Sequence, residues 1–307
     1  MSFHGITGSD TLETLKPVRW SYTRREWRRP HQHQRDVTPP SSIRILTWNI
    51  DFATPNPGVR LQDALKYIQQ TVFDCKDIAD KPGPCCILLQ EIHIDAFDVI
   101  AGQLWLREHF LMAPSSPEHF HAHYGLVTLI SKDIPVLGVH DVTFGGSTMG
   151  RSSLMVDLRM LPIKGDRGEQ KPVTLRVANT HLESLPIGAA QRPVQLATIA
   201  ARLKDSNIYT GIVCGDMNSI GESDRHIHKD VGLKDAWTGG DEDEAGYTWG
   251  YQPRCRFPVG RLDKILYTRN GHSDVRIGEP ERVGVGAKTS QGQWVSDHYG
   301  LITSVAV

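Results

Sequence analysis

Six short polar segments of this sequence contain the residue types that hydrolysis of a phosphate ester requires. Each follows or begins an apolar stretch: TWNID (47–51), LLQEI (88–92), NTHLES (179–184), CGDMNS (214–219), GRLDKILY (260–267) and SDHYG (296–300). An anionic phosphodiester reacts very slowly in water, so its hydrolysis needs groups that neutralise charge and position a water molecule. The candidate catalytic residues in these segments are Asn49, His181, Asp216, Asn218, Asp263 and His298.

The carboxylates among these segments favour a hard divalent cation. Mg²⁺ prefers oxygen ligands and commonly takes one or two carboxylates together with a substrate phosphate. Glu91 is the first candidate metal ligand, with Asp51 and Asp297 as further candidates. Cysteines and histidines do not cluster in a pattern that indicates a softer metal. We therefore expect Mg²⁺ as the cofactor, with Mn²⁺ as a substitute.

The spacing of the remaining polar residues predicts their roles. Asp216 and Asn218 lie two positions apart, so both side chains point the same way if the extended chain continues through Asn218. Asp216 could then orient and deprotonate the attacking water, while Asn218 holds it or a phosphate oxygen. His298 could donate to a phosphate oxygen or to the leaving group, with Asp263 orienting its ring. His181 would be a second donor to the developing charge.

The apolar pattern around these segments predicts alternating strands and helices. Leu61, Leu65, Ile68 and Val72 fall on one helical face, and further helices are expected near 97–104 and 196–203. The polar stretch GDRGEQKP (165–172) predicts a loop. Several hairpin-like connections favour a layered α/β domain with a largely antiparallel sheet core. Strands are expected at 43–48, 85–90, 124–131, 135–143, 152–160, 172–180, 208–215, 261–267 and 299–306.

The composition is that of a globular protein without a strong overall charge. The chain has 307 residues, 39% of them hydrophobic, and a net charge of −1, so any nucleic-acid binding requires a local basic patch. Five cysteines, two of them adjacent, do not predict a disulfide framework. Neither a secretory signal nor a membrane-spanning stretch is evident. We expect an intracellular protein, nuclear or cytoplasmic.

Residues 1–42 differ from the rest of the chain because they are polar and show little periodicity. Within them, VRWSYTRREWRRPHQHQR (18–35) interleaves arginines with two tryptophans and a tyrosine. One interpretation is a flexible arm that binds phosphates and stacks on bases. The other, which we favour, is a solvated tail or a segment whose two tryptophans pack on the main domain. The expected division is an N-terminal extension, 1–42, and a catalytic domain, 43–307.

Together, the six segments resemble the endonuclease/exonuclease/phosphatase superfamily, which includes exonuclease III-like repair nucleases, deoxyribonuclease I and neutral sphingomyelinases. The resemblance covers the chain from Ile43 to the end, and six motifs in the same order are very unlikely by chance. It implies a four-layered α/β sandwich with two packed mixed, largely antiparallel sheets. It also implies an enzyme that hydrolyses phosphate esters.

Within the superfamily, the sequence is most similar to the tyrosyl-DNA phosphodiesterase 2 branch. The similarity lies in TWNID, HLES, YTW (247–249), SDHYGL and the stretch FGGSTMGRSSLMVDL (144–158). It implies one Mg²⁺ site in a DNA repair enzyme that cleaves a 5′-phosphotyrosyl bond, a narrow groove for a single-stranded DNA 5′ end, and a monomer. The sequence departs from the branch at SIGESD (219–224), which lacks the expected arginine, and at Leu262, which replaces an aromatic residue. The residues implied to line or support the cleft are Arg151, Ser184, Arg192 and Trp249.

Two other interpretations remain open. In the first, the same catalytic core serves as a general nuclease, an abasic-site endonuclease, or a phosphodiesterase for a lipid or small molecule. The loops 145–151, 186–193 and 220–258 would decide between these substrates. In the second, the chain is a non-catalytic nucleic-acid-binding module, which is disfavoured because every carboxylate and histidine of the motif set is present.

Overall fold

A computed structural model describes residues 9–30, 37–163, 171–272 and 274–307 of the chain. Most of the expected 165–172 loop and the end of the arginine-rich N-terminal segment lie outside these residues. The strands are β1 (Thr11–Leu15), β2 (Val18–Ser21), β3 (Glu26–Arg28), β4 (Ser42–Asn49), β5 (Cys85–His93), β6 (Phe110–Ala113), β7 (Tyr124–Ser131), β8 (Val136–Thr143), β9 (Ser152–Met160), β10 (Val173–His181), β11 (Thr210–Asp216), β12 (Lys234–Asp235), β13 (Asp263–Tyr267), β14 (Arg276–Ile277), β15 (Glu281–Val283) and β16 (Gly300–Ala306). The helices are α1 (Pro57–Tyr67), followed by a π-helical turn at Ile68–Val72, then α2 (Phe97–Gly102), α3 (Leu104–His109), α4 (Gln191–Leu203) and α5 (Ile227–Asp230).

The strands form two mixed sheets. One has the order β1-β8-β9-β10-β11-β13-β12; the other has the order β14-β16-β4-β5-β7-β6-β2-β3, with β15 also paired to β16. Within the described residues the parallel pairs are β4–β5 and β10–β11, and the other pairs are antiparallel. At these parallel pairs, Asn49 lies at the end of β4 and both His181 and Asp216 lie at the ends of their strands.

Three apolar cores separate four layers of structure. Alternation along β4 places Ile45 in the core between the sheets, and Leu46 and Trp48 in the core under α1–α3. A third core lies between the first sheet and α4, where Leu196 and Ile199 pack on Val213. Each buried aliphatic side chain of this kind contributes about 1.5–3 kcal/mol to folding. The layers confirm the predicted four-layered α/β sandwich with two packed, largely antiparallel sheets.

The expected helix near 97–104 consists of two short helices. The chain is extended at Gln103, with ψ of 119°, and the side chain of Gln103 accepts a hydrogen bond from the Leu104 amide. This break separates α2 from α3, because a side-chain cap starts a new helix where the first one ends. Apolar periodicity could not reveal the break, since Phe97, Ile100 and Leu106 all pack in the same core.

Part of the N-terminal extension adds strands to the edges of both sheets. Strand β1 pairs with β8 at the edge of one sheet, and the hairpin β2–β3 pairs through β2 with β6 at the edge of the other. The indole of Trp27 donates a 2.9 Å hydrogen bond to the carbonyl of Ala101. This segment therefore packs against the domain at both sheet edges. Separately, no helix of the described chain is long and apolar enough to cross a bilayer.

Candidate active site

Asn49 lies between two carboxylates from different sheets. Its Nδ2 donates to Glu91 Oε1 and to Asp216 Oδ2, each at 3.1 Å, and its Oδ1 accepts from the Asp51 amide at 2.9 Å. The side chain is fully buried, so these bonds determine its orientation. A neutral amide at this position brings the Glu91 and Asp216 carboxylates together without adding a charge.

Glu91 reaches the site from an irregularity in β5. The register of β5 against β7 shifts between Leu89 and Ile92, and Glu91 has φ of +57°. A left-handed residue of this kind re-aims a side chain, and such irregularities are common beside functional sites. Its Oε2 accepts from the Phe52 amide at 2.9 Å. Glu91 therefore presents a partly exposed carboxylate beside buried neighbours.

Asp216 is held in its ionised form. Burial alone raises the pKa of a carboxyl group, but the nearby His181 ring, whose Nε2 lies 3.3 Å from Oδ2, and the charge of His298 outweigh burial and hold the pKa of Asp216 well below its usual range. Its Oδ1 also accepts from the Asn218 amide at 2.8 Å. The ionised Asp216 carboxylate can therefore accept a hydrogen bond from a water molecule and orient it.

His298 and Asp263 form a buried pair. His298 Nδ1 lies 2.7 Å from Asp263 Oδ2, and its Nε2 lies 3.9 Å from Asp216 Oδ2. Burial favours the neutral ring, but the carboxylates of Asp263, Asp297 and Asp216 raise the pKa of His298 well above its ordinary value. Burial also raises the pKa of Asp263, although the charge of His298 opposes this. The pair therefore presents a protonated Nε2 towards Asp216.

His181 is oriented by Arg151. Arg151 Nη1 donates to His181 Nδ1 at 2.6 Å, and Nη2 donates to Ser184 Oγ at 2.6 Å. Because a guanidinium can only donate, Nδ1 of His181 must accept, so the ring proton lies on Nε2. That Nε2 is buried 3.3 Å from Asp216 Oδ2 and has no well-directed partner among the described residues. It can therefore donate to a substrate oxygen.

Asn218 does not continue the extended strand, contrary to the condition attached to its predicted role. Strand β11 ends at Asp216, and Asn218 has φ of +47°. Its Nδ2 donates to the carbonyl of Leu182 at 3.0 Å. The turn arises because the Asp216 carboxylate accepts the Asn218 amide, which bends the chain at this point. Asn218 thereby ties the ends of β10 and β11 together.

Asp297 and Trp249 meet at the partly exposed side of the site. Trp249 Nε1 donates to Asp297 Oδ2 at 2.9 Å, and Asp297 Oδ1 lies 3.8 Å from His298 Nε2. Partial burial raises the pKa of Asp297 to about 6, with the negative charge of Asp51 adding to the rise and His298 opposing it. Both residues therefore border the His298–Asp263 pair.

The predicted ligand Asp51 has other contacts. Its Oδ1 accepts from the Ala53 and Thr54 amides at 2.9 and 3.2 Å, and its Oδ2 lies 3.6 Å from Nη1 of buried Arg60. These bonds shape the loop that follows β4. Among the described residues, Asp51 is outside the groups whose ligand atoms lie close enough together to share an ion.

Arg192 is buried in the supporting structure and is not exposed to the cleft. Its guanidinium makes two 2.8 Å bonds to the Asp224 carboxylate and donates to the carbonyls of Glu183 and Leu185 at 3.0 and 2.9 Å. The Arg192 side chain is 1% exposed. The structure therefore shows Arg192 supporting the loop that carries Ser184 and gives it no surface for a substrate.

Sequence reasoning missed Glu183 as a supporting residue. Its carboxylate accepts from Thr148 Oγ1 at 2.7 Å, from Ser147 Oγ at 2.8 Å and from Gln195 Nε2 at 2.9 Å. These bonds join the 145–151 loop to the segment after His181. The only available signal was that Glu183 lies inside the HLES motif.

A buried polar network beneath the site was also missed. Gln90 Nε2 donates to Asn179 Oδ1 at 2.7 Å and to Thr47 Oγ1 at 2.9 Å, and Asn179 Nδ2 donates to the carbonyls of Leu89 and Val127. It links β4, β5, β7 and β10 across the two sheets. Gln90 and Asn179 are motif neighbours of Glu91 and His181, but their pairing across 89 positions has no local signature.

A cleft adjoins Glu91 and His181. Its lining includes Tyr124, whose ring stacks on Phe52 with centroids 3.9 Å apart, and Arg151, whose guanidinium carbon lies 5.3 Å from the Tyr124 ring centre. The aromatic and cationic wall could contact a planar or anionic group. Neither aromatic residue was singled out from the sequence.

Two overlapping groups could hold a divalent cation. Ligand atoms of Glu91, His181 and Asp216 lie within 4.8 Å of one another, as do those of Asp216, Asp263 and His298. In the first group two carboxylates supply hard oxygen donors, and Glu91 is the partly exposed member. His298 already faces Asp263 through Nδ1. The donor set around Glu91 therefore fits a hard cation.

Comparisons with known proteins support the fold. Similar solved structures include humanized D. rerio TDP2 carrying 14 mutations (TM-score 0.66, 19% identity, covering 87% of this chain and 100% of that one) and truncated Caenorhabditis elegans TDP2 (0.64, 19%, 87% and 98%). The human Nocturnin catalytic domain with bound sulfate is also similar (0.57, 20%, 87% and 95%). No curated protein matches the chain significantly in sequence. These likenesses establish the fold.

The family assignment rests on the sequence match together with this fold. The Endonuclease/Exonuclease/phosphatase family matches residues 46–298, which span the site from Asn49 to His298. This match covers well over half of the chain. The chain belongs to the Endonuclease/Exonuclease/phosphatase family.

Proposed function

We propose that this chain is a Mg²⁺-dependent phosphodiesterase that hydrolyses the 5′-phosphotyrosyl bond at single-stranded DNA ends. One observation carries the proposal: contacts of 3.9 Å or less run from Glu91 through His181, Asp216 and His298 to Asp263. A structure of D. rerio TDP2 in complex with a single-stranded DNA product, 18% identical with a TM-score of 0.65, supports the choice of substrate.

In this proposal, Asp216 positions the attacking water and takes its proton. As the water oxygen bonds to phosphorus, the bond from phosphorus to the tyrosine oxygen breaks and the phenolate leaves. His181 Nε2 donates to a non-bridging oxygen, and protonated His298 stabilises the same charge or the leaving oxygen. A phenol of pKa about 10 leaves more readily than an alcohol, so electrostatic stabilisation matters more than a strong acid.

The cation is assigned to Glu91, with Asp216 as its neighbour. When bound, Mg²⁺ would neutralise negative charge on the phosphate and help to orient it. Asn49 would keep the two carboxylates in place, since it donates to both. Mn²⁺ is expected to substitute, and chelation by EDTA should abolish turnover until either ion is restored. Turnover that continues in EDTA would contradict the metal assignment.

The experiment that tests the substrate is a panel of 5′-tyrosyl single-stranded DNA, an abasic duplex, an unmodified single strand and sphingomyelin. We expect the tyrosyl substrate to be preferred and Asp216→Asn to lower its turnover at least about 100-fold, because this change removes the base. Asp230→Asn, at an exposed carboxylate, is the matched control. Preference for another panel member, or full activity of Asp216→Asn, would overturn the corresponding part of the proposal.

A second candidate substrate, a lipid or small-molecule phosphodiester, is favoured by the loops beside the site. Leu185, Ile187 and Ile220 are 59%, 77% and 42% exposed. In the same region, Arg225 is engaged by Glu222 and Glu242. An apolar rim of this kind suits an uncharged group next to the phosphate better than a polyanion. The sphingomyelin arm of the panel tests this alternative.

A further inference from the structure

A hairpin of residues 18–29, formed by β2 and β3, carries most of the arginines of the N-terminal extension. We call it the arginine hairpin. Its two tryptophans contact each other and the domain. Trp20 and Trp27 meet edge to face with centroids 6.0 Å apart, and the Arg107 guanidinium lies 3.7 Å from the centre of the Trp20 ring. Tyr22 donates to Glu108 at 2.5 Å. These aromatic contacts attach the hairpin to the domain.

The arginines, in contrast, face water. Six cationic side chains between residues 16 and 29 are exposed, and Glu26 is the acidic residue among them, although the whole chain has a net charge of −1. This local excess of positive charge belongs to a defined strand pair, not to a free tail. The cations are Lys16, Arg19, Arg24, Arg25, Arg28 and Arg29.

The pairing within the hairpin places like charges together. Arg19 is directly opposite Arg28, while Trp20 is opposite Trp27. Like charges opposite each other destabilise a strand pair. Glu26 offsets part of this through a 3.2 Å contact with Arg28, leaving Arg19 without a comparable contact among the described residues. An anionic ligand bound across the pair would relieve the repulsion.

We propose that the arginine hairpin is an accessory surface that binds the phosphate backbone of a polynucleotide, separate from the catalytic cleft. The choice of a polynucleotide rests on the proposed function. A guanidinium matches a phosphate with two parallel N–H donors, and several exposed guanidiniums along one hairpin suit a repeating phosphate backbone. Charge on an edge strand also prevents sheet extension.

The hairpin is too far from the site to contact the scissile phosphate. Strand β3 lies four strands from β5 in the sheet order, which is about 19 Å at roughly 4.8 Å per strand. The offset along the strand direction follows from the pairing: Arg19 pairs with Leu111, Leu111 with Ile130, and Ile130 with Cys86. Cys86 lies five positions before Glu91 on β5, which adds about 16 Å along the strand. The separation is therefore about 25 Å.

The test uses the full-length protein in EDTA, so that binding is measured without turnover. Fluorescence anisotropy of a labelled single-stranded 30-mer is recorded across salt concentrations for the wild type and for a triple variant, Arg19→Gln, Arg28→Gln and Arg29→Gln. We expect the hairpin variant to weaken binding at least tenfold. It should also flatten the slope of log K against log salt by about 2, because three contacts to a single strand contribute about 0.7 each.

A matched control removes three exposed cations elsewhere: Arg159→Gln, Lys229→Gln and Arg276→Gln. If the control weakens binding as much as the hairpin variant, or if neither does, the proposal is overturned. Melting temperatures of both variants identify any loss of folding. Competition by polyglutamate as strong as competition by unlabelled DNA would assign the surface to an acidic protein and would also overturn the proposal.

Measurements of turnover test the hairpin proposal independently of binding. For 5′-tyrosyl substrates, the hairpin variant should lose about tenfold in kcat/KM on a 20-mer and keep wild-type activity on a 4-mer, which is too short to reach both surfaces. Equal losses on both lengths would contradict the proposed separation. If the wild type cleaves neither substrate, the proposed function fails, while anisotropy still decides whether the hairpin binds DNA.

Discussion

Replacement of Arg192 by methionine distinguishes a supporting role from a substrate-binding role. Arg192 and Asp224 are each 1% exposed, and the guanidinium also donates to two main-chain carbonyls. Removing one partner of a buried pair leaves an uncompensated charge, which costs about 3–5 kcal/mol. With about 2–4 °C of melting temperature per kcal/mol for domains of roughly this size, the variant should melt at least about 6 °C lower.

The assays are thermal and urea unfolding, together with steady-state kinetics at a temperature where both proteins are folded. Arg225→Met is the matched control, because Arg225 is 42% exposed in its contacts with Glu222 and Glu242. Exposed pairs contribute at most about 1 kcal/mol, so this control should unfold close to the wild type. If Arg192→Met unfolds like the wild type but raises KM, the guanidinium contacts substrate and the structural reasoning is refuted.

Three further outcomes are expected. Arg151→Met should lower kcat about 10–100-fold with little change in KM, since the guanidinium orients His181; steady-state kinetics showing a change only in KM would contradict this. Burial lowers the pKa of Lys264 to about 8, so the unfolded chain binds more protons than the folded protein between about pH 8 and 10.4. The free energy of unfolding should therefore rise by about 3 kcal/mol across this pH range. Lys264→Met should abolish that rise in urea titrations, and a variant that retains it would assign the rise to another group. Asn179→Ala should lower the free energy of unfolding, measured in urea, by about 2–4 kcal/mol, because it leaves Gln90 and two carbonyls without their partner. A decrease below about 1 kcal/mol would contradict the buried network.

The strands that carry the site could be predicted because their apolar patterns are local. The expected strands at 124–131 and 152–160 match β7 and β9, and the strand expected at 43–48 lies within β4. These strands are buried along most of their length, and a short continuous apolar run bounded by turn residues is a strand signal. The limits of the 97–104 helix were less predictable, since a side-chain cap at Gln103 ends one helix and begins another.

The conformations of single residues in the site depended on contacts that spacing does not encode. Asp216 and Asn218 were expected to share a direction, but the carboxylate of Asp216 accepts the Asn218 amide and turns the chain. The resemblance implied that Arg192 lines or supports the cleft but not which, because its partner Asp224 lies 32 positions further along the chain. A pairing over that distance exists only once α4 has packed beside β11.

The sequence by itself determined the kinds of side chain available and the strand ends from which they project, since both follow from local composition and periodicity. It also determined the order of the motifs, which identifies the family. The tertiary structure alone decided which groups share a proton, which arginines are buried and which face water, because these depend on contacts between strands far apart in the chain. Those contacts form when the two sheets pack together and exclude water between them.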